Sequence, residues 1–169
     1  MSDEIVNRVA KSNLITIDLE DLYPKGTRTV FDIADWLFEG LILKEKDFRE
    51  AVENHNWNLY DGHYVALICS ADAIIPSWAY MLITTKLAPF AKKIVAGDLE
   101  LLETAIFHDI ISNLNITEYE GKPIIIKGCS DKPIPQTAYL QLIEKLQPVV
   151  KSIMFGESCS TVPLYKVPK

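Results

Sequence analysis

Apolar residues along the chain follow two rhythms: short unbroken runs, and longer stretches in which they recur every three or four positions. The runs Val65-Ala66-Leu67-Ile68 and Ile124-Ile125-Ile126 are too short for helices and predict strands buried on both faces. Each is followed by a polar loop ending in Ile-Pro, then by a helical stretch, residues 78–87 and 138–146, closed by Lys-Leu-x-Pro. The lysine suits the negative end of the helix dipole, and the proline stops the helix. Residues 92–97 and 151–156 predict second strands, each ending at a glycine followed by an acid. Strand, helix, strand is a βαβ unit, which crosses over right-handed almost without exception. Between the two units, Leu102, Ile106, Ile110 and Leu114 predict a connecting helix over residues 99–114. The order β-α-β-α-β-α-β then implies four parallel strands.

The two βαβ patterns are related in sequence. When the chain is laid over itself, positions 60–98 align without gaps on 119–157, and 13 of the 39 pairs are identical. Ordinary residue usage leads one to expect about two or three. The pairs include Tyr60/Tyr119, Gly62/Gly121, Asp72/Asp131, Pro76/Pro135, Tyr80/Tyr139, Lys86/Lys145 and Gly97/Gly156. One supersecondary unit used twice is the reading this supports. Upstream, residues 14–19 predict a strand and residues 30–40 and 46–54 predict helices, with Trp36, Phe38 and Leu41 forming the apolar face of the first. Downstream, residues 161–165 predict an edge strand, because Pro163 cannot donate to a central ladder. No linker or low-complexity tract divides the chain, so the expectation is a single α/β domain over residues 1–169, its mainly parallel sheet flanked by helices.

Composition narrows the partners. Lys+Arg 17 against Asp+Glu 23 gives a formal charge of −6, which repels phosphate backbones and argues against nucleic acid. The longest apolar stretch, residues 64–83, carries Asp72 and Pro76 near its middle, so it reads as strand, loop and helix instead of a membrane span. The start Met1-Ser2-Asp3-Glu4 lacks a basic and an apolar signal region, and three cysteines are too few for a disulfide framework. A cytoplasmic protein with reduced thiols is the expectation.

Candidate chemistry gathers at the predicted strand ends. In open parallel sheets, ligands bind outside the carboxyl ends of the strands. One shared edge would collect Cys69, Cys129 and Cys159 with Asp98 and Glu157, and the following loops add Asp72 and Asp131. Soft thiolates suit zinc or an iron–sulfur component, with carboxylates in support. None of the thiols has the Cys-x-x-Cys spacing of a specific metal motif, and in the alignment Cys69 meets Gly128 while Cys129 meets Ser70. His55, His63 and His108 are the available bases for a thiol nucleophile. Neither Gly97 nor Gly156 belongs to a phosphate-binding glycine pattern. Tyr80, Tyr139, Trp57 and Trp78 read as core packing, and Lys86 and Lys145 as helix-end charges.

Four segments, residues 30–40, 70–80, 127–131 and 155–166, together resemble an uncharacterised family of bacterial proteins classed as a domain of unknown function, over nearly the whole chain. That resemblance implies no activity; it implies an association with iron–sulfur cluster assembly systems, and proteins of those systems as partners. Three functions follow as expectations: a non-catalytic accessory protein handling a metal or iron–sulfur component, a small-molecule binding module in the same crevice, or a cysteine-dependent enzyme.

Overall fold

The computed structural model describes residues 13–128, 130–157 and 160–168. It is a mixed α/β structure with mostly parallel sheets flanked by helices. Its strands are β1 (Ile15–Ile17), β2 (Arg28–Asp32), β3 (Tyr64–Ile68), β4 (Lys93–Ala96), β5 (Pro123–Ile126), β6 (Ser152–Glu157) and β7 (Ser160–Lys166). Its helices are α1 (Glu45–Asn54), α2 (Ser77–Leu87), α3 (Leu99–Ser112) and α4 (Gln136–Leu146). The described residues form two compact units, one running from Pro24 to Ile106 and the other taking residues 13–23 and those described from Phe107 onward. The central unit is built on the sheet β2-β3-β4, and the outer one on the sheet β1-β5-β6-β7.

Each sheet supports its own core. In the central unit Val65 and Leu67 of β3 pack with Phe31, Phe48, Ala79, Ile83 and Leu87. In the outer unit Ile124 and Ile126 of β5 pack with Phe107, Ile111, Ala138, Leu142 and Leu146. The β-branched run of β5 suits a strand covered on both faces, and Ile124, Ile125 and Ile126 are all buried. Pro76 and Pro135 stand immediately before α2 and α4 with φ of −67° and −69°, the angle the ring enforces.

The elements recur in the register of the sequence alignment: α2 and α4 begin and end at aligned positions, and β3 and β4 begin at positions aligned with the starts of β5 and β6. Connecting hydrogen bonds recur too. Gly62 N donates to Phe90 O at 3.0 Å and Gly121 N to Val149 O at 2.8 Å; Lys92 N donates to His63 O at 2.7 Å and Lys151 N to Lys122 O at 2.9 Å.

Two expectations are corrected. Residues 30–40 are not a helix. They continue β2 to Asp32, whose carboxylate caps a 3₁₀ turn, Ile33–Trp36, and Phe38 bonds back to Ile42 across a tight turn. Pairing along β3 over the full length of β2 overrides the helical spacing, and Phe38 and Leu41 lie exposed instead of forming a core face. The four strands of the βαβ pattern also do not share one sheet: β3 and β4 pair with β2, whereas β5 and β6 pair with β1 and β7. Each βαβ takes its third parallel strand from a different upstream segment. Cys69 and Asp98 follow β3 and β4 of one sheet, and Glu157 ends β6 of the other, while Cys129 and Cys159 lie outside the described residues. The C-terminal strand is at an edge as expected, with Pro163 opposite Met154 and a register shift beside it.

Candidate functional site

The carboxyl edge of the outer unit's sheet carries a concentrated set of charges. Asp18 follows β1, Lys127 follows β5, and Glu157 ends β6. The Asp18 carboxylate works twice: Oδ1 accepts from Glu20 N at 2.9 Å, capping the 3₁₀ turn Leu19–Leu22, and Oδ2 accepts from Lys127 Nζ at 2.8 Å. Partial burial pushes the Asp18 carboxyl up, but the Lys127 ammonium and the Glu20 amide outweigh it and hold the group below the usual aspartate range. The same bond to Asp18 raises Lys127, and the Glu157 and Glu20 carboxylates add to the effect.

One turn further, Glu20 reaches the loop after β5. Its Oε1 accepts from the Ser130 hydroxyl at 2.8 Å, from Lys132 N at 2.9 Å and from Asp131 N. These donors hold the Glu20 carboxyl below its ordinary value, the Ser130 hydroxyl contributing most. The central unit fastens the matching loop differently. Asp32 Oδ1 accepts from Ala34 N at 2.9 Å and from Ser70 N at 3.0 Å.

On the helix side of the same edge lies a cavity of about 320 Å³ between the ends of β5 and β6 and the first turns of α4. Ile126, Gly128, Tyr139, Ile143, Phe155 and Leu164 form most of its wall, and Gln136 and Leu140 complete it. Gly128 makes room for the Phe155 ring: a Cβ there would stand 3.0 Å from Phe155 Cζ. Tyr139 meets that ring edge-on, with centroids 5.9 Å apart. At the corresponding places the central unit has Cys69 for Gly128 and Ala96 for Phe155, a small side chain facing a smaller one. Neighbouring strand residues face opposite sides, so Lys127 leaves toward Asp18 while Ile126 and Gly128 face the cavity.

The residues expected from sequence are distributed over both units. Cys69 is half-buried against the central core, and its Sγ donates to Ala71 O at 3.6 Å. Cys129 and Cys159 lie outside the described residues. Asp98 caps α3, its Oδ1 accepting from Leu101 N at 2.9 Å, and Asp72 is exposed. Asp131 contributes its amide to Glu20, and Glu157 lies in the field of Lys127. Among the described residues, no three His, Cys, Asp or Glu side chains converge as a metal site.

His55 and His63 are otherwise engaged. His55 stands 3.1 Å from the Tyr60 hydroxyl, among Phe31, Trp36 and Trp57, and burial lowers its pKa. His63 Nδ1 lies 2.9 Å from Thr29 Oγ1. His108 is exposed. The two helix-end lysines each bridge to a neighbouring helix: Lys86 pairs with Glu53 at 2.9 Å, and Lys145 donates to Ile111 O and Ser112 O, both at 2.6 Å, at the end of α3.

Sequence reading missed Glu20, Lys127 and Lys132. A signal for the lysines is present: Lys127 and Lys132 align with Ile68 and Ala73, so positive charge enters only one of the two loops.

Mostly parallel sheets with helical crossovers, and polar loops at the carboxyl edges, define an α/β protein. The chain belongs to the family described as Protein of unknown function (DUF2480), which it matches over residues 3–167. No curated protein and no solved structure matches it. Among the described residues, no helix is long and apolar enough to cross a membrane.

Proposed function

We propose that the protein is a non-catalytic binding module for a small, predominantly apolar molecule, held at the carboxyl end of β5 and β6 against α4. The observation that carries this reading is the cavity itself. Its volume of about 320 Å³ falls at the small end of ligand sites, and its wall is apolar and aromatic with Gln136 and the Tyr139 hydroxyl as the polar groups. Among the described residues, no carboxylate, imidazole or thiol lines it, which favours holding a molecule over transforming it. Its position follows the rule for parallel sheets. Gly128 and Phe155, which shape this wall, align with Cys69 and Ala96 of the central unit.

Equilibrium dialysis with indole, together with metal analysis of anaerobically purified protein, tests the proposal. Saturable retention of indole, lost in Gly128→Val, supports it. Tightly bound metal that disappears with serine at Cys69, Cys129 and Cys159, without indole retention, replaces it with the metal- or iron–sulfur-handling role. Rapid alkylation of one low-pKa thiol, again without indole retention, replaces it with a cysteine enzyme.

A further inference from the structure

The loop that follows β5 presents donors to a single point. Ser130 Oγ, Asp131 N and Lys132 N all reach Glu20 Oε1, so two successive backbone amides and a hydroxyl enclose one carboxylate oxygen. Successive amides converging in this way form an anion-binding concavity, and hydrogen bonds to an ionised acceptor are stronger than neutral ones. Two ammonium groups stand close to the loop: Lys127, bonded to Asp18, and Lys132, whose Nζ lies 3.5 Å from Glu20 O and 5.3 Å from the centre of the Tyr23 ring. The matching loop of the central unit has neither cation, since Ile68 and Ala73 replace the lysines, and Asp32 fastens it through Ser70 alone, by its amide and its hydroxyl. Tethering a loop therefore needs less than this loop possesses.

We infer that residues 130–132 form a binding site for the carboxylate or phosphate group of a ligand, in which the Glu20 carboxylate is the resident occupant that such a ligand displaces. Glu20 sits on a short 3₁₀ turn, is not buried, and is joined to the loop through its side chain, so rotation of that side chain opens the site without moving β1. Lys127 and Lys132 supply the charge that attracts the incoming anion, and the amides fix its orientation. This site is separate from the apolar cavity, and neither inference rests on the other.

Titration of the full chain carrying Glu20→Ala with sodium acetate, and separately with inorganic phosphate, tests the inference by NMR. Sodium chloride at matched ionic strength is the control. The amide protons of Asp131 and Lys132 are expected to move downfield saturably with acetate, phosphate or both, and not with chloride; the arm that saturates at lower concentration identifies the preferred group. The unsubstituted protein is expected to need at least about ten times more anion, because a tethered carboxylate competes at an effective concentration of order millimolar. Adding Ser130→Ala to Glu20→Ala is expected to weaken binding about fivefold by removing one donor. Should Glu20→Ala fail to fold, Glu20→Gln serves for the same titration, because it keeps an acceptor oxygen without the charge. Amides that respond no more to acetate or phosphate than to chloride overturn the inference, as does an equal response with and without Glu20.

Discussion

Asp18 and Asp32 hold the same position in the two units: each stands at the carboxyl end of a parallel strand, and each takes the amide two residues on to start a four-residue 3₁₀ turn. Strand register establishes the equivalence, since Ile17 pairs with Ile126 and Phe31 with Leu67, and Leu67 and Ile126 occupy aligned positions of the two βαβ segments. Their second bonds differ. Asp32 takes the Ser70 amide, and Asp18 takes the Lys127 ammonium.

Removing either carboxylate destabilises its unit. Asp32→Ala is expected to cost about 2 kcal/mol, because it uncaps the 3₁₀ turn and leaves Ser70 N without its acceptor, and Asp18→Ala about 1 kcal/mol. Urea unfolding measures both. A cost below a few tenths of a kcal/mol for Asp32→Ala contradicts the tether.

Acid should loosen the fold through the same groups. Asp18 and Asp32 both titrate below the usual aspartate range in the folded protein, although burial alone would raise them. The unfolded chain, with aspartates near about 3.9, therefore binds protons first as pH falls. Their stabilisation is complete above that value and is lost as pH drops through the folded values. Urea midpoints at a series of pH values from neutral to strongly acidic should decline more gently for Asp32→Asn than for the unsubstituted protein; parallel curves contradict this.

In the central unit, Arg28 and Glu103 form a two-pronged pair, Nε to Oε1 at 2.6 Å and Nη2 to Oε2 at 3.3 Å, with both side chains largely buried. Arg28 also donates to Pro24 O and Gly26 O, each at 2.8 Å, and stacks over Tyr64. Glu103→Leu alone is expected to cost about 3 kcal/mol by removing the carboxylate that this guanidinium meets with two hydrogen bonds. Arg28→Met with Glu103→Leu should recover part of that loss. A double-mutant cycle reads the difference, and strictly additive costs contradict the coupling.

The glycine beneath Phe155 is expected to be intolerant. Gly128→Val places branched carbons against the ring, which must shift, so a loss of about 1–3 kcal/mol is predicted by thermal or urea unfolding. Gly128→Val with Phe155→Ala, which restores the small pairing of Cys69 and Ala96, should regain stability while removing the cavity wall. No recovery in the double variant contradicts the packing relation.

Local grammar was readable where it was redundant. Ile-Pro before each helix and Lys-Leu-x-Pro after it bracketed α2 and α4 to within one or two residues, and the buried runs marked β3 and β5. Residues 30–40, expected as a helix with Trp36, Phe38 and Leu41 on its apolar face, are not legible from the local pattern because the strand that decides the fate of their first residues, β3, is distant in sequence. Division into two sheets was illegible for the same reason, since a βαβ unit does not state which outside strand it will recruit. Charges such as Lys127 and Glu20 look like solvated surface until the fold brings residues more than a hundred positions apart together.

The central claim is the apolar cavity against α4, and nuclear magnetic resonance of the full chain during an indole titration tests it most directly. The account predicts saturable amide shifts confined to Gly128, Tyr139, Phe155, Leu164 and their immediate neighbours, and absent in Gly128→Val. Shifts scattered over both units, or none up to the solubility limit of indole, contradict it.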